Sequence, residues 1–171
     1  MFSVLLDNLI AILTNPVLLC AAFAWFLAQF CKLFTSSKYR NGISLLRFAF
    51  GSGGMPSSHA AAVCATCFSC GILYGYGSAA FAVSGVLAAV VMKDASGIRR
   101  EAGKQAEVIN QITGELNKKS RRQQFEDTLK VLLGHTPLQV LVGAILGFIV
   151  AFVSQYIVLP AIFSTHPFAV L

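Results

Sequence analysis

The sequence predicts an all-α integral membrane bundle of about four spanning helices with a helical loop on its cytoplasmic side. Three observations carry that expectation. The 171 residues are 56% hydrophobic and only 12% charged, with a mean hydropathy of +0.72, more apolar than a soluble domain allows. The apolar residues gather in runs of spanning length, separated by Pro, Gly and polar breaks. All thirteen Lys and Arg residues fall between Lys32 and Lys130, in two polar loops or at the helix ends facing them. The length suits one domain, so 1–171 is read as a single membrane domain.

The elements follow in order. The first dozen residues read as an interfacial amphipathic helix. They do not form a secretory signal, because a basic start is missing and Asp7 and Asn8 interrupt the apolar stretch. After the Asn15-Pro16 break, a first span is predicted over about Val17–Phe34, followed by a polar loop over about Thr35–Met55. A second span covers about Ser57–Tyr74, turns at Gly75–Gly77, and returns as a third over about Ser78–Met92. A second polar loop, 93–134, is largely helical. Ile98, Ala102, Ala106, Ile109 and Leu116 share one apolar face, and Ser120 and Gly134 bracket a further helical piece. The fourth span covers about Pro137–Leu159, and the apolar tail after Pro160 is too short to cross.

Four spans put both polar loops on one side and both termini on the other. The basic excess assigns the loops to the cytoplasmic or equivalent side, and the net charge of +6 suits anionic headgroups there. Membrane lipid is therefore the expected partner. Nucleic acid is excluded because the basic residues hug a membrane face, and a homo-oligomer stays open. The five cysteines (Cys20, Cys31, Cys64, Cys67 and Cys70) are an odd number inside apolar segments. They read as helix packing rather than a disulfide framework. The acidic residues show no metal-ligand spacing, so neither a metal nor another cofactor is expected.

One stretch does not suit a lipid-facing helix: Gly53-Gly54-Met55-Pro56-Ser57-Ser58-His59. It opens the second span with glycines that admit close backbone approach and with hydroxyls that donate hydrogen bonds. The fourth span opens comparably, with His135 followed by the N-cap candidate Thr136 and Pro137 in the first turn. Helix N-termini carry unpaired N–H groups and partial positive charge, which favour a phosphate-like anion. The predicted topology delivers Lys32, His59, Asp94, Arg99, Arg100 and His135 to the same face. The segment from Gly53 to His59 thus reads as one wall of an oxyanion cradle. The alternatives are plain helix capping by Ser57, and contacts of Arg99 and Arg100 with lipid headgroups.

The segments "GGMPSSHAA" and "GHTPLQVLVGAILG", with "AWFLAQFCK" and "MKDASGIRREAGKQAEVIN", resemble the divergent branch of the type 2 phosphatidic acid phosphatase superfamily, which is related to acid phosphatases and vanadium-dependent haloperoxidases. The resemblance spans roughly Asn15 to Val150. It implies His135 as the nucleophile that takes a phosphoryl group and His59 as the general acid. It implies Lys32, Ser57 and Ser58 as phosphate ligands. The superfamily's motifs are departed from in four places. Ser58 stands for a glycine. Tyr39 occupies the position of the first arginine, with Arg40 one residue late. No arginine immediately precedes His135, the nearest basic residue being Lys130. Gln139 stands where an aspartate would orient His135. Arg99 and Arg100 are the candidates to replace the missing arginines, and Asp94 is a second candidate orienter.

Two readings result. In the first, the chain is a membrane phosphatase that hydrolyses a phosphorylated lipid or polyprenyl-type phosphate through a phosphohistidine. In the second, it is a non-catalytic membrane protein that binds anionic lipid or a partner through a degenerate phosphate cradle. A serine hydrolase built on Ser57 or Ser58 is disfavoured, because a serine and histidine adjacent in one helical turn rarely aim at each other. Nothing in the sequence marks a permanent vanadate cofactor.

Overall fold

The computed structural model describes residues 2–35, 54–119, 135–158 and 160–161, with only the backbone described at 99–100 and 116–119. Helix α1 covers Phe2–Leu13, α2 Pro16–Thr35, α3 Ser58–Tyr74, α4 Ala79–Ser96, α5 Ile98–Lys119 and α6 Pro137–Val153, which runs on as a π-helical turn at Ser154–Val158. Among the described residues there is no strand, and the chain is a helical membrane protein. The second helical piece expected after Ser120 and the tail beyond residue 161 lie outside the described residues.

Each start is written in local chemistry. The Asn15 side-chain oxygen accepts from the Val17 and Leu18 N–H groups at 3.0 and 3.1 Å, with Pro16 at a position that needs no donor. The Ser78 hydroxyl accepts from Phe81 N–H at 3.2 Å. Gly75, at φ +86°, makes the turn between α3 and α4 in a conformation that favours glycine. Helix α4 continues to Ser96, past the expected end at Met92, because the break falls at Gly97. Lys93 and Asp94 consequently sit on its last turn rather than in a loop. Helix α1 forms as expected, and all of its residues are exposed.

Pro16–Thr35, the stretch beginning at Ala79 and Pro137–Val158 are long and apolar enough to cross a membrane. Helix α3 has 17 residues, about 26 Å at 1.5 Å per residue, and is the least apolar of the four. Its position explains why. Helix α3 is the hub, packed against α2, α4 and α6, while α4 barely reaches α6. The core is built from small residues: Ala24 and Ala28 of α2, Ala61 and Ala65 of α3, and Ala151 of α6, joined by Cys20 and Val150. Lipid tails give apolar helices no hydrophobic reason to associate, so close backbone approach and dispersion must hold them together. Gly143 and Gly147 show how close that approach is. A Cβ at Gly143 would lie 2.4 Å from the Ser57 carbonyl oxygen, and one at Gly147 would lie 2.3 Å from that of Ala61.

Candidate active site

Four helix ends meet at one face: the C-terminal ends of α2 and α4 and the N-terminal ends of α3 and α6. Hydrogen bonds tie them pairwise. Lys32 Nζ donates to Ser58 Oγ at 3.1 Å, joining α2 to α3. The Ser57 N–H donates to the Gln139 carbonyl at 3.0 Å, joining α3 to α6, and the His135 N–H donates to the Ala95 carbonyl at 3.0 Å, joining the approach to α6 with α4. The Thr35 hydroxyl donates to the Met55 carbonyl, so the end of α2 also holds the segment leading into α3. That segment passes Gly54 at φ +84°, a conformation suited to glycine.

Lys32 is 1% exposed and Ser57 and Ser58 are fully or almost fully buried. Ser57 is the N-cap of α3. Its hydroxyl accepts from Ala60 N–H at 3.4 Å, its carbonyl accepts from Ala61 N–H and its own N–H goes to Gln139. What Ser57 retains for a ligand is its hydroxyl proton. The N–H groups of Ser58 and His59 occupy the first turn of α3, where a helix supplies no internal acceptor.

Thr136 and Gln139 form a capping box at the start of α6. The Gln139 N–H donates to Thr136 Oγ1 at 3.3 Å, and Thr136 N–H donates to Gln139 Oε1 at 3.0 Å. The second bond settles the amide's orientation, since an N–H must meet oxygen rather than nitrogen. The same Oε1 lies 3.2 Å from His135 Nδ1. An amide oxygen only accepts, so the tautomer that makes this hydrogen bond carries its proton on Nδ1, which in the neutral ring leaves the lone pair on Nε2.

His135 is 5% exposed. Burial, more than any other cause, lowers its proton affinity below the ordinary histidine value. The Gln139 hydrogen bond opposes that shift, Lys32 and then His59 reinforce it through repulsion, and a backbone hydrogen bond to Gly54 opposes it. Lys32 and His59 therefore both lie near enough for His135 to sense. His59 itself is exposed. Neither Lys32 nor His135 has a carboxylate among its described partners.

The structure thus brings together Lys32, Ser57, Ser58, His135 and Gln139, with His59 at the rim. Asp94 is half-buried on the last turn of α4 and is not among the groups that shift His135. Arg99 and Arg100 lie in the first turn of α5, and their side chains are outside the described residues. Among the described residues, no group of three or more His, Cys, Asp or Glu side chains is arranged to hold a metal ion. Two contributors escaped the sequence reading. Gln29 accepts from Lys32 Nζ at 2.8 Å, a pairing signalled by polar residues three apart in an otherwise apolar helix. Gly143 lets α6 reach Ser57, and the Gly143-x-x-x-Gly147 spacing signals that packing.

A membrane helical bundle that gathers a buried lysine, two histidines and two helix N-termini at one end defines a class of integral membrane protein with a polar, cationic site at its surface. The chain belongs to the divergent PAP2 family, whose model matches residues 13–150. It is 40% identical over 114 residues to a protein of Bacillus subtilis (strain 168) described as uncharacterized membrane protein YuiD, a match covering 61% of this chain and 72% of that one. No solved structure matches the chain.

Proposed function

We propose that the chain is a membrane phosphatase acting on a phosphorylated lipid or polyprenyl-type phosphate, with His135 as nucleophile and His59 as general acid. The observation that carries this reading is the state of His135. It is buried, its proton affinity is lowered by burial and by the nearness of Lys32 and His59, and its Nδ1 faces Gln139 Oε1, the arrangement that in a neutral ring leaves the lone pair on Nε2. A histidine so placed is suited to attack an electrophile.

In the proposed reaction, Nε2 of His135 bonds to phosphorus while the bond from phosphorus to the leaving oxygen breaks. His59 gives its proton to that oxygen. His59 then takes a proton from water, whose oxygen attacks the phosphohistidine, releasing inorganic phosphate and restoring His135. Lys32, the hydroxyls of Ser57 and Ser58 and the first N–H groups of α3 would stabilise the charge on the transferring oxygens. Arg99 and Arg100 would supplement them, and Asp94, on the last turn of α4 next to the Ala95 that holds His135, would be a second orienting group.

The neutral Gln139 favours a second reading, a binding protein that holds anionic lipid without turning it over. An amide orients the ring but stabilises the developing imidazolium less than a carboxylate would. Phosphate release from a panel of lipid phosphates decides between the two readings. Turnover by wild type and none by His135→Ala supports the phosphatase; lipid binding with no release by wild type supports the binder.

The site face would be cytoplasmic or its equivalent, on the strength of the basic residues that flank it. Labelling of a cysteine introduced at exposed Gln105 from the cytoplasmic side alone is the expected result. Labelling from the opposite side would reverse the orientation.

A further inference from the structure

A lysine at the end of a spanning helix ordinarily extends its ammonium to the water interface. Lys32 does not. It stays buried on the last turn of α2, and its two described partners are both neutral: Gln29 Oε1 at 2.8 Å and Ser58 Oγ at 3.1 Å. Gln29 is itself 3% exposed and lies one turn before Lys32 on the same helix face. An ammonium has three donors. Two are directed by these oxygens, which fixes the direction of the third.

A buried cation needs countercharge, yet an amide oxygen and a hydroxyl supply none. A glutamate in place of Gln29 would hold the ammonium equally well and would neutralise it. The glutamine instead directs Lys32 and leaves its charge available. We propose that Gln29 is a positioning residue of the phosphate cradle, a neutral brace that keeps Lys32 buried and aimed so that the bound anion supplies the countercharge. This inference rests on the phosphate reading of the site. The ligand it identifies is the phosphate group itself, whether free or carried by a lipid.

The test is equilibrium binding of inorganic phosphate by the full chain purified in detergent, compared with Gln29→Met, Gln29→Glu and the exposed control Gln105→Glu. Gln29→Met removes the acceptor and should weaken binding about tenfold or more. Gln29→Glu keeps an acceptor on Lys32 but cancels its charge, and should weaken binding at least as much while thermal stability is maintained. A purely structural glutamine predicts the opposite order, because the near-isosteric glutamate would be the milder change. Gln105→Glu should bind as wild type does. Wild-type affinity in either Gln29 variant would overturn the brace. If Gln29→Met fails to fold, Gln29→Glu alone carries the test, with the same result overturning it. Absence of phosphate binding by wild type would instead overturn the phosphate reading beneath the proposal.

Discussion

Helices α3 and α6 begin alike and present their histidines differently. Each has a hydroxyl N-cap, Ser57 or Thr136, and each has a histidine within two positions of it. His59 follows its cap and lies on the outer surface of the first turn, exposed. His135 precedes its cap, so it belongs to the incoming chain rather than the helix. Its N–H is fastened to Ala95, its ring faces Gln139, and it is buried. A residue on the cap's N-terminal side is placed by its own contacts, whereas one inside the first turn is placed by the helix. The same two residue types therefore yield one buried imidazole fastened on two sides and one at the rim with access to water. That asymmetry matches the demands on a nucleophile and on a proton carrier.

Separating the two roles should give the largest effect. On a lipid phosphate, His135→Ala should abolish turnover, and His59→Ala should lower it by about 10²–10⁴. The leaving group distinguishes the two histidines further. p-Nitrophenolate departs without protonation, so the His59→Ala defect should shrink on p-nitrophenyl phosphate while His135→Ala stays inactive. Equal defects on both substrates in kcat/KM, which reports the first step and not the water attack that His59 also assists, would remove the acid role from His59.

The next effect concerns what holds the two helix starts together. Gly143 of α6 lies against the Ser57 backbone, where a Cβ would stand 2.4 Å from a carbonyl oxygen that cannot swing aside. Gly143→Ala should therefore destabilise the bundle by about 1–3 kcal/mol through overpacking and weaken vanadate binding by separating Ser57 from His135. Gly114 on exposed α5 has nothing within 4 Å of its added Cβ. Gly114→Ala should be neutral or should stabilise by up to about 1 kcal/mol. Thermal unfolding in detergent reads both, and equal effects would mean that the α3–α6 contact adjusts freely.

These contrasts also show what the sequence made legible. The caps at Ser57, Thr136 and Asn15 involve residues only two or three apart, so the chain announces them. Apolar run length announced the spans, except that α4 ended at Gly97 rather than at the first charge, Lys93. Lysine on a last turn is compatible with helix, and Gly97 is what interrupts it. The gathering of Lys32, His59 and His135 at one face followed from alternating span directions. What composition could not give was the side-chain partnering across helices. Nothing in Ala95 foretells that its carbonyl holds His135, because any residue has that carbonyl. Gln29 carries a signal in its spacing to Lys32, but only the fold brings that pair against Ser58. Gly143 did carry a signal in its spacing to Gly147, but the helix it contacts is fixed only by the fold.

The smallest expected effect tests the atom that makes the two starts unequal. Gln139 Oε1 serves Thr136 N–H and faces His135 Nδ1, so it both caps the helix and orients the ring. Glutamate is the other residue a capping box accepts, so Gln139→Glu should preserve the start of α6 while adding a negative charge beside the imidazole. In wild type, burial and the neighbouring cations hold the His135 proton affinity below its ordinary value. The ring therefore remains neutral, and able to attack, down to a pH below the usual histidine range. A carboxylate favours the imidazolium and raises that proton affinity. The acidic limb of kcat/KM assigned to His135 should then move to higher pH. On the alkaline side of that limb in both proteins, kcat should rise severalfold, because the charge that develops on His135 is better stabilised. Both changes share one electrostatic cause, so they should appear together. An unmoved acidic limb with unchanged kcat, in a variant that folds and binds vanadate as wild type does, would reduce Gln139 to a helix cap and leave the orientation of His135 to its backbone bond with Ala95.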